Sequence, residues 1–307
     1  MRGLRHKRYS SYTDRWRIKG LMFALPAIII LLCFIFYPLV LNIGYCFTNF
    51  DGINRNAAFV GLKNFRDIFS DRNFFLVIKN TFILGIIYVL GLNILALLLS
   101  VLLTKVGRIF SNVTKSILYF PCLLSPVIVG FVWRLIYDSR KGLLNQTLRF
   151  LGLNSLAKDW LGNISLVLPS VAATIIWFAV GYYIVIYYAG LVSIPTELYE
   201  ASTVEGANGW QEFWHITLPL LAPSITINIV LTTISILSTF DLPYTITAGG
   251  GPGYYGTTLS IMIYTTAYEY MQSGKAFALA TVLAVIAMTI ALIELKILLK
   301  REEAING

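Results

Sequence analysis

Charge is what this chain has least of. Only 13% of its 307 residues are Asp, Glu, Lys or Arg, against 57% apolar, whereas a soluble domain of this size carries about a quarter charged residues. That excess of apolar surface cannot be hidden in one soluble core, so the bilayer is its natural solvent. Histidine is scarcer still: His6 and His215 stand far apart with no ligand company, which excludes a histidine metal site. Three cysteines, Cys33, Cys46 and Cys122, fall in or beside apolar runs at unrelated spacings. They supply neither a disulfide framework nor a metal spacing and read as small buried hydrophobes. No GxxxxGK[ST] phosphate loop, no HExxH and no Ser-His-Asp set occurs, so nucleotide hydrolysis and membrane-enzyme chemistry find no residues here. Strict alternation of polar and apolar residues is also missing, which excludes a membrane barrel and leaves helices.

What is present is a series of apolar runs, each long enough to cross a hydrocarbon core, which takes roughly 20 residues. Six can be drawn: Leu21 to Phe47, Phe82 to Leu103, Ile117 to Tyr137 (with Pro121 and Pro126 inside it), Ile164 to Val192, Ala222 to Ile246, and Phe277 to Leu299. The expected fold is an all-α integral membrane protein of about six transmembrane helices. The net charge of +9 does not indicate nucleic acid, because seven of the 24 Lys and Arg lie in the first 19 residues, just ahead of the first run. By the positive-inside rule residues 1–20 are a cytoplasmic tail. The run that follows is too long for a signal peptide and reads as a retained helix. An even number of spans returns the C-terminal tail, 300–307, to the same side, and puts segments 48–81, 138–163 and 247–276 outside. An ion-coupled secondary transporter would need Asp, Glu or Arg buried within spans. The spans read as nearly free of them, with Arg134 and Asp241 near ends.

The segment between the fourth and fifth runs is the most informative. From Ile194 to Ser224 it contains no Lys or Arg but has Glu197, Glu200, Glu205 and Glu212. Pro195 can open a helix, Gly206 or Gly209 can supply a left-handed turn, and Asn208 with Gln211 resembles a capping box. Pro219 and Pro223 break the chain before the fifth run. The pattern predicts two short helices joined at a glycine turn, lying across the cytoplasmic mouth.

The order Glu200-Ala201-Ser202, then Gly206, then Ile216, Leu218 and Pro219 resembles the EAA motif of the permease subunits of ATP-binding-cassette (ABC) importers. That motif runs Glu-Ala-Ala, a Gly four residues on, then nine residues to Ile-x-Leu-Pro. Ser202 for the second Ala and Glu205 for the usual Asp are mild departures. Phe59-Val60-Gly61-Leu62-Lys63-Asn64-Phe65, Asn80-Thr81, and Gly249-Gly250-Gly251-Pro252 followed by Thr257-Thr258-Leu259 look like the carbohydrate-uptake, maltose-type branch. The resemblance covers roughly residues 20 to 300.

The resemblance implies a type I ABC importer permease (MetI-like) fold, with a first helix over 21–47, a permease core of five spans over 82–299 and a coupling loop over 195–222. It implies a bacterial inner membrane location and a sugar or oligosaccharide as cargo. The implied partners are a second, related permease, an ATPase dimer that binds the ATP and Mg, and an extracytoplasmic solute-binding protein. The chain itself would bind no cofactor. In the coupling loop Glu200 would be the charged anchor, small Ala201, Ser202 and Gly206 would allow close approach, and Ile216, Leu218 and Pro219 would set the exit. Along the pathway the resemblance puts Thr232 and Ser235 at sugar-contacting positions. Thr239 recurs on the same helical face, and Trp177, Tyr182 and Tyr183 could offer rings and hydroxyls. Beside this stands a purely structural reading, in which Ser and Thr make interhelical bonds and Trp and Tyr anchor span ends.

Overall fold

A computed structural model describes residues 22–53 and 57–306, with side chains through 300. The basic tail and His6 lie outside the described residues. Helix α1 (Met22–Tyr45) carries a π turn over Leu32–Phe36 and has no buried residue in its apolar window. It joins the rest only at its end, where Asn42 Nδ2 donates to Thr281 Oγ1 at 3.1 Å and Tyr45 stacks on Phe277. Cys33 is exposed on this helix while Cys46 is buried; all three cysteines are free.

The segment after α1 is tied back by the residues that resemble the carbohydrate branch. Asn64, on α2 (Lys63–Ser70), donates both amide hydrogens, to the carbonyls of Cys46 and Thr48, each at 2.8 Å. Helix α3 (Arg72–Thr104) starts at Arg72 rather than Phe82, because Asp71 caps it by accepting from the Asn73 N–H. An N-cap of this kind satisfies one orphan donor of the first turn. Its Asn80 donates to the carbonyls of Tyr254 and Thr257, and its Thr81 hydroxyl accepts from the Leu259 N–H. Two buried polar side chains thereby fasten the glycine-rich loop over 249–258.

The third apolar run is not one straight helix. Helix α4 (Arg108–Tyr119) runs into a 3-10 turn over Phe120–Leu123, and α5 (Pro126–Ile136) leaves it at 97°. Pro121 and Pro126 cause the break: each lacks the N–H that would continue the ladder, and Pro126 opens α5. A short helix, α6 (Leu143–Phe150), precedes α7 (Val167–Val192). Helices α3 and α7 pack most extensively, around Leu84, Tyr88, Leu92, Ala96, Val171, Ile175 and Ile184, all buried. Gly181 lets α4 cross α7 closely: a Cβ there would stand 2.1 Å from the Leu118 carbonyl oxygen.

After α7 come α8 (Thr196–Val204) and α9 (Gly209–Leu220), and α9 meets α10 (Ala222–Ser238) at 68°. The fifth run, expected to continue to Ile246, stops at Ser238. Thr239 is extended, with ψ 123°, and a separate α11 (Asp241–Thr247) follows, packed on α5. Helix α12 (Leu259–Tyr264) runs on into a π turn over Thr265–Glu269, and α13 (Ser273–Asn306) closes the chain. Four helices are long and apolar enough to span a membrane alone, or six if each bent pair counts as one span. Glu294 lies within the sixth run. It is a carboxylate inside a span expected to be nearly free of acids: Thr233 donates to its Oε1 at 2.9 Å and its buried Oε2 has no partner among the described residues.

Candidate functional site: a helical loop and a polar seam

The loop between α7 and α10 is built from local backbone rules. Helix α8 ends in a Schellman motif: the Gly206 N–H bonds the Thr203 carbonyl and the Ala207 N–H bonds the Ser202 carbonyl, at 3.0 and 2.9 Å. Gly206 sits at φ +84°, the left-handed conformation this motif needs. Two residues on, Asn208 Oδ1 accepts from the N–H groups of Trp210 and Gln211, and Gln211 Oε1 accepts from the Asn208 N–H at 2.8 Å, a full capping box. The two helices are cross-tied. Ser202 donates to Glu212 Oε1 at 3.2 Å, and the hydroxyls of Tyr199 and Thr217 meet at 3.0 Å. Ser202, one of the two departures from the motif, thus helps to hold Glu212, with Thr203 donating to the same oxygen at 3.5 Å. Pro195 stands at the N-cap of α8 rather than at its first helical position.

These ties leave one surface free. Glu200 and Ala201 are exposed on α8, and Glu200 has no hydrogen-bond partner among the described residues. Gly206 has nothing within 4 Å of a would-be Cβ. Ile216, Leu218 and Pro219 are half-buried and lead into Leu221, which is fully buried at the α9–α10 bend. An acidic, unpaired surface with open space at its glycine can accept a partner of positive potential at close range.

Above the loop a polar seam runs between α3, α7 and α10. The Tyr187 hydroxyl donates to Asn93 Oδ1 at 2.7 Å, and Asn93 Nδ2 donates to Thr232 Oγ1 at 3.0 Å and to the Val89 carbonyl at 2.8 Å. Thr232 is wholly buried and its own hydrogen returns to the Asn228 or Ile229 carbonyl. Asn228 is also wholly buried, with neither amide atom hydrogen-bonded among the described residues. One turn outward, the hydroxyls of Tyr88, Tyr183 and Ser235 cluster. Ser235 is half-buried, while Thr239 lies off the helical stripe at the break, donating to the Ser235 carbonyl at 2.6 Å. The three residues of the sequence stripe therefore occupy three settings: a closed interhelical network, a half-open aromatic pocket and a helix terminus. Trp177 and Tyr182 are exposed in the body of α7, not at its ends; Trp177 packs edge-on to Trp133, and Tyr182 edge-on to Tyr183. Asn93 and Tyr187 escaped the sequence reading. Their signal was an isolated amide inside an apolar run, a costly group that needs a partner on another helix.

Comparison with known proteins agrees with this architecture. A family profile described as binding-protein-dependent transport system inner membrane component matches residues 93–301. The probable ABC transporter permease protein YurN of Bacillus subtilis is 32% identical over 276 residues, covering 90% of this chain and 94% of that protein. The probable starch degradation products transport system permease protein AmyD of Thermoanaerobacterium thermosulfurigenes is 31% identical, covering 92% of this chain and 94% of its own length. Among solved structures, a bacterial ABC transporter involved in the import of the acidic polysaccharide alginate superposes with a TM-score of 0.80 at 25% identity, covering 96% of this chain and 99% of that one. The chain belongs to the family of binding-protein-dependent transport system inner membrane components and is a multi-pass ABC transporter permease subunit.

Proposed function

We propose that this chain and a second, related permease form the pathway of an ATP-driven importer for a sugar or oligosaccharide in a bacterial inner membrane. An extracytoplasmic binding protein delivers the solute, and a partner ATPase dimer holds ATP and Mg. Both termini are cytoplasmic, which puts the loop over 195–222 on the ATPase side. Relatives named for starch degradation products, multiple sugars and diacetylchitobiose support a carbohydrate cargo. A solved relative titled as a complex with alginate pentasaccharide-bound periplasmic protein supports delivery by a binding protein.

The observation that carries the ATPase-coupling role is the free face of α8: an exposed Glu200 with no partner of its own, beside a left-handed glycine with empty space around it. A charge seated in a partly dry groove interacts more strongly than in water, and truncating one partner of such a pair costs about 2–5 kcal/mol. Glu200→Ala should leave the chain inserted in the membrane and paired with its fellow permease, yet weaken co-purification of the ATPase and uncouple hydrolysis from uptake. Wild-type association, stimulation and uptake in that variant would remove the loop from the coupling role.

A further inference from the structure

At the outer end of α10 the chain builds a row of aromatic rings that no part of the loop or the polar seam uses. Phe240 lies tilted on Tyr244 at 4.9 Å, Phe240 and Tyr244 meet Tyr264 at 4.7 and 5.1 Å, and Tyr264 meets Tyr268 at 5.0 Å. The row draws on two elements: α11, beyond the break in the fifth span, and α12 with its π turn. The Ser260 hydroxyl fastens α12 to α10 by donating to the Leu237 carbonyl at 2.9 Å. On α11, Leu242, Pro243, Thr245, Ile246 and Thr247 are buried, so Phe240, Asp241 and Tyr244 form its outward face.

Two readings compete for such a row. Tyrosines near span ends commonly sit in the lipid headgroup belt. Here, however, two carboxylates share the face: Asp241 is exposed beside Phe240, and Glu269 is exposed while accepting from the Tyr244 hydroxyl at 3.4 Å. Carboxylates of this kind are costly against lipid. The backbone break at Thr239 points the same way, since irregular backbone at membrane depth is tolerated where it is buried in protein or lines a water-filled cavity. The row therefore faces water. Its chemistry is that of a pyranose platform: the negative π-faces attract the weakly positive C–H bonds of a sugar ring, and Asp241 and Glu269 accept hydrogens from ring hydroxyls.

We infer that Phe240, Tyr244, Tyr264 and Tyr268, with Asp241 and Glu269, form an outer sugar subsite that receives a pyranose ring before it reaches the polar seam. This rests on the carbohydrate reading above. Tyr268 is 67% exposed, so Tyr268→Ala tests the subsite at little cost to the fold; Tyr264→Leu and Tyr264→Phe form a second pair. The assay uses the full complex in proteoliposomes, its binding protein loaded in turn with maltotriose, cellotriose, chitotriose and a mannuronate trisaccharide. It reads stimulated ATP hydrolysis and uptake against loaded binding protein. Expected is an increase in the half-saturating concentration of about five- to tenfold for Tyr268→Ala and Tyr264→Leu, with near-wild-type behaviour in Tyr264→Phe. If no sugar stimulates the wild-type complex, the carbohydrate reading fails and the subsite with it. If a sugar stimulates wild type and both variants saturate like wild type, the subsite alone is overturned and the row is a headgroup belt.

Discussion

Gly206 allows strain and docking to be separated at one position. Its φ of +84° lies in the left-handed region, which costs an ordinary L-residue about 1–2 kcal/mol and asparagine less. Apart from its two chain neighbours, no heavy atom of the described residues lies within 4 Å of a Cβ placed there. Within the chain, then, side-chain size has nothing to press against, and Gly206→Ala and Gly206→Leu should lose the same ~1–2 kcal/mol, with Gly206→Asn close to wild type. Thermal unfolding of the purified permease pair should rank the variants by backbone preference alone. ATPase association should rank them by size, with Asn and Ala retaining most of it and Leu losing the larger part, because only a partner surface arriving at the glycine can sense the added atoms. The two rankings come from one set of proteins, by unfolding midpoint and by titration of the ATPase onto the immobilised pair. Equal association for Ala and Leu would refute the claim that a partner closes on this turn.

Three further outcomes follow. In the seam, Asn93→Ala leaves the Tyr187 hydroxyl without its acceptor, so Asn93→Ala and Tyr187→Phe should each destabilise by about 0.6–1.7 kcal/mol, and the double variant by clearly less than the sum, measured as a double-mutant cycle of unfolding midpoints. Ser235→Leu, filling the half-open pocket beside Tyr88 and Tyr183, should reduce transport while leaving ATPase assembly intact; normal uptake would mean the hydroxyl only packs. In a chain freed of its three cysteines, an impermeant thiol reagent applied outside should label a cysteine at Asn154 and miss one at Gly209, and the reverse would invert the topology.

How much of this was legible in the sequence depends on which forces dominate each segment. Apolar runs report the cost of exposing backbone to lipid, so the spans appear in the sequence directly. The loop was legible in detail because it follows local rules: a glycine for φ > 0, and an Asn and a Gln three apart for a capping box. The first turns of α3 were not, since Arg72 to Thr81 is polar in part and its helicity comes from the Asp71 cap and the tertiary ties of Asn80 and Thr81. The break at Thr239 was masked by the continuity of apolar residues on either side; Asp241 followed by Pro243 was its local trace. The seam was invisible because pairing of Asn93 with residues 94 and 139 positions away depends on helix order in space. Glu294 was passed over because one acid barely lowers the hydropathy of a long window.

The interruption at Thr239 also has a mechanical meaning. Between the buried Leu221 and that interruption, α10 is an unbroken rod of 17 residues, about 25 Å long at 1.5 Å per residue. One end is welded to the loop through the 68° bend; the other is released from α11, which stays clamped to α5. A push on the loop that tilts the rod by about 10° carries its far end about 4 Å, together with α12, which Ser260 fastens to Leu237. In the proposed importer such a push would enter through the coupling loop and be delivered at the depth of Ser235 and Thr239.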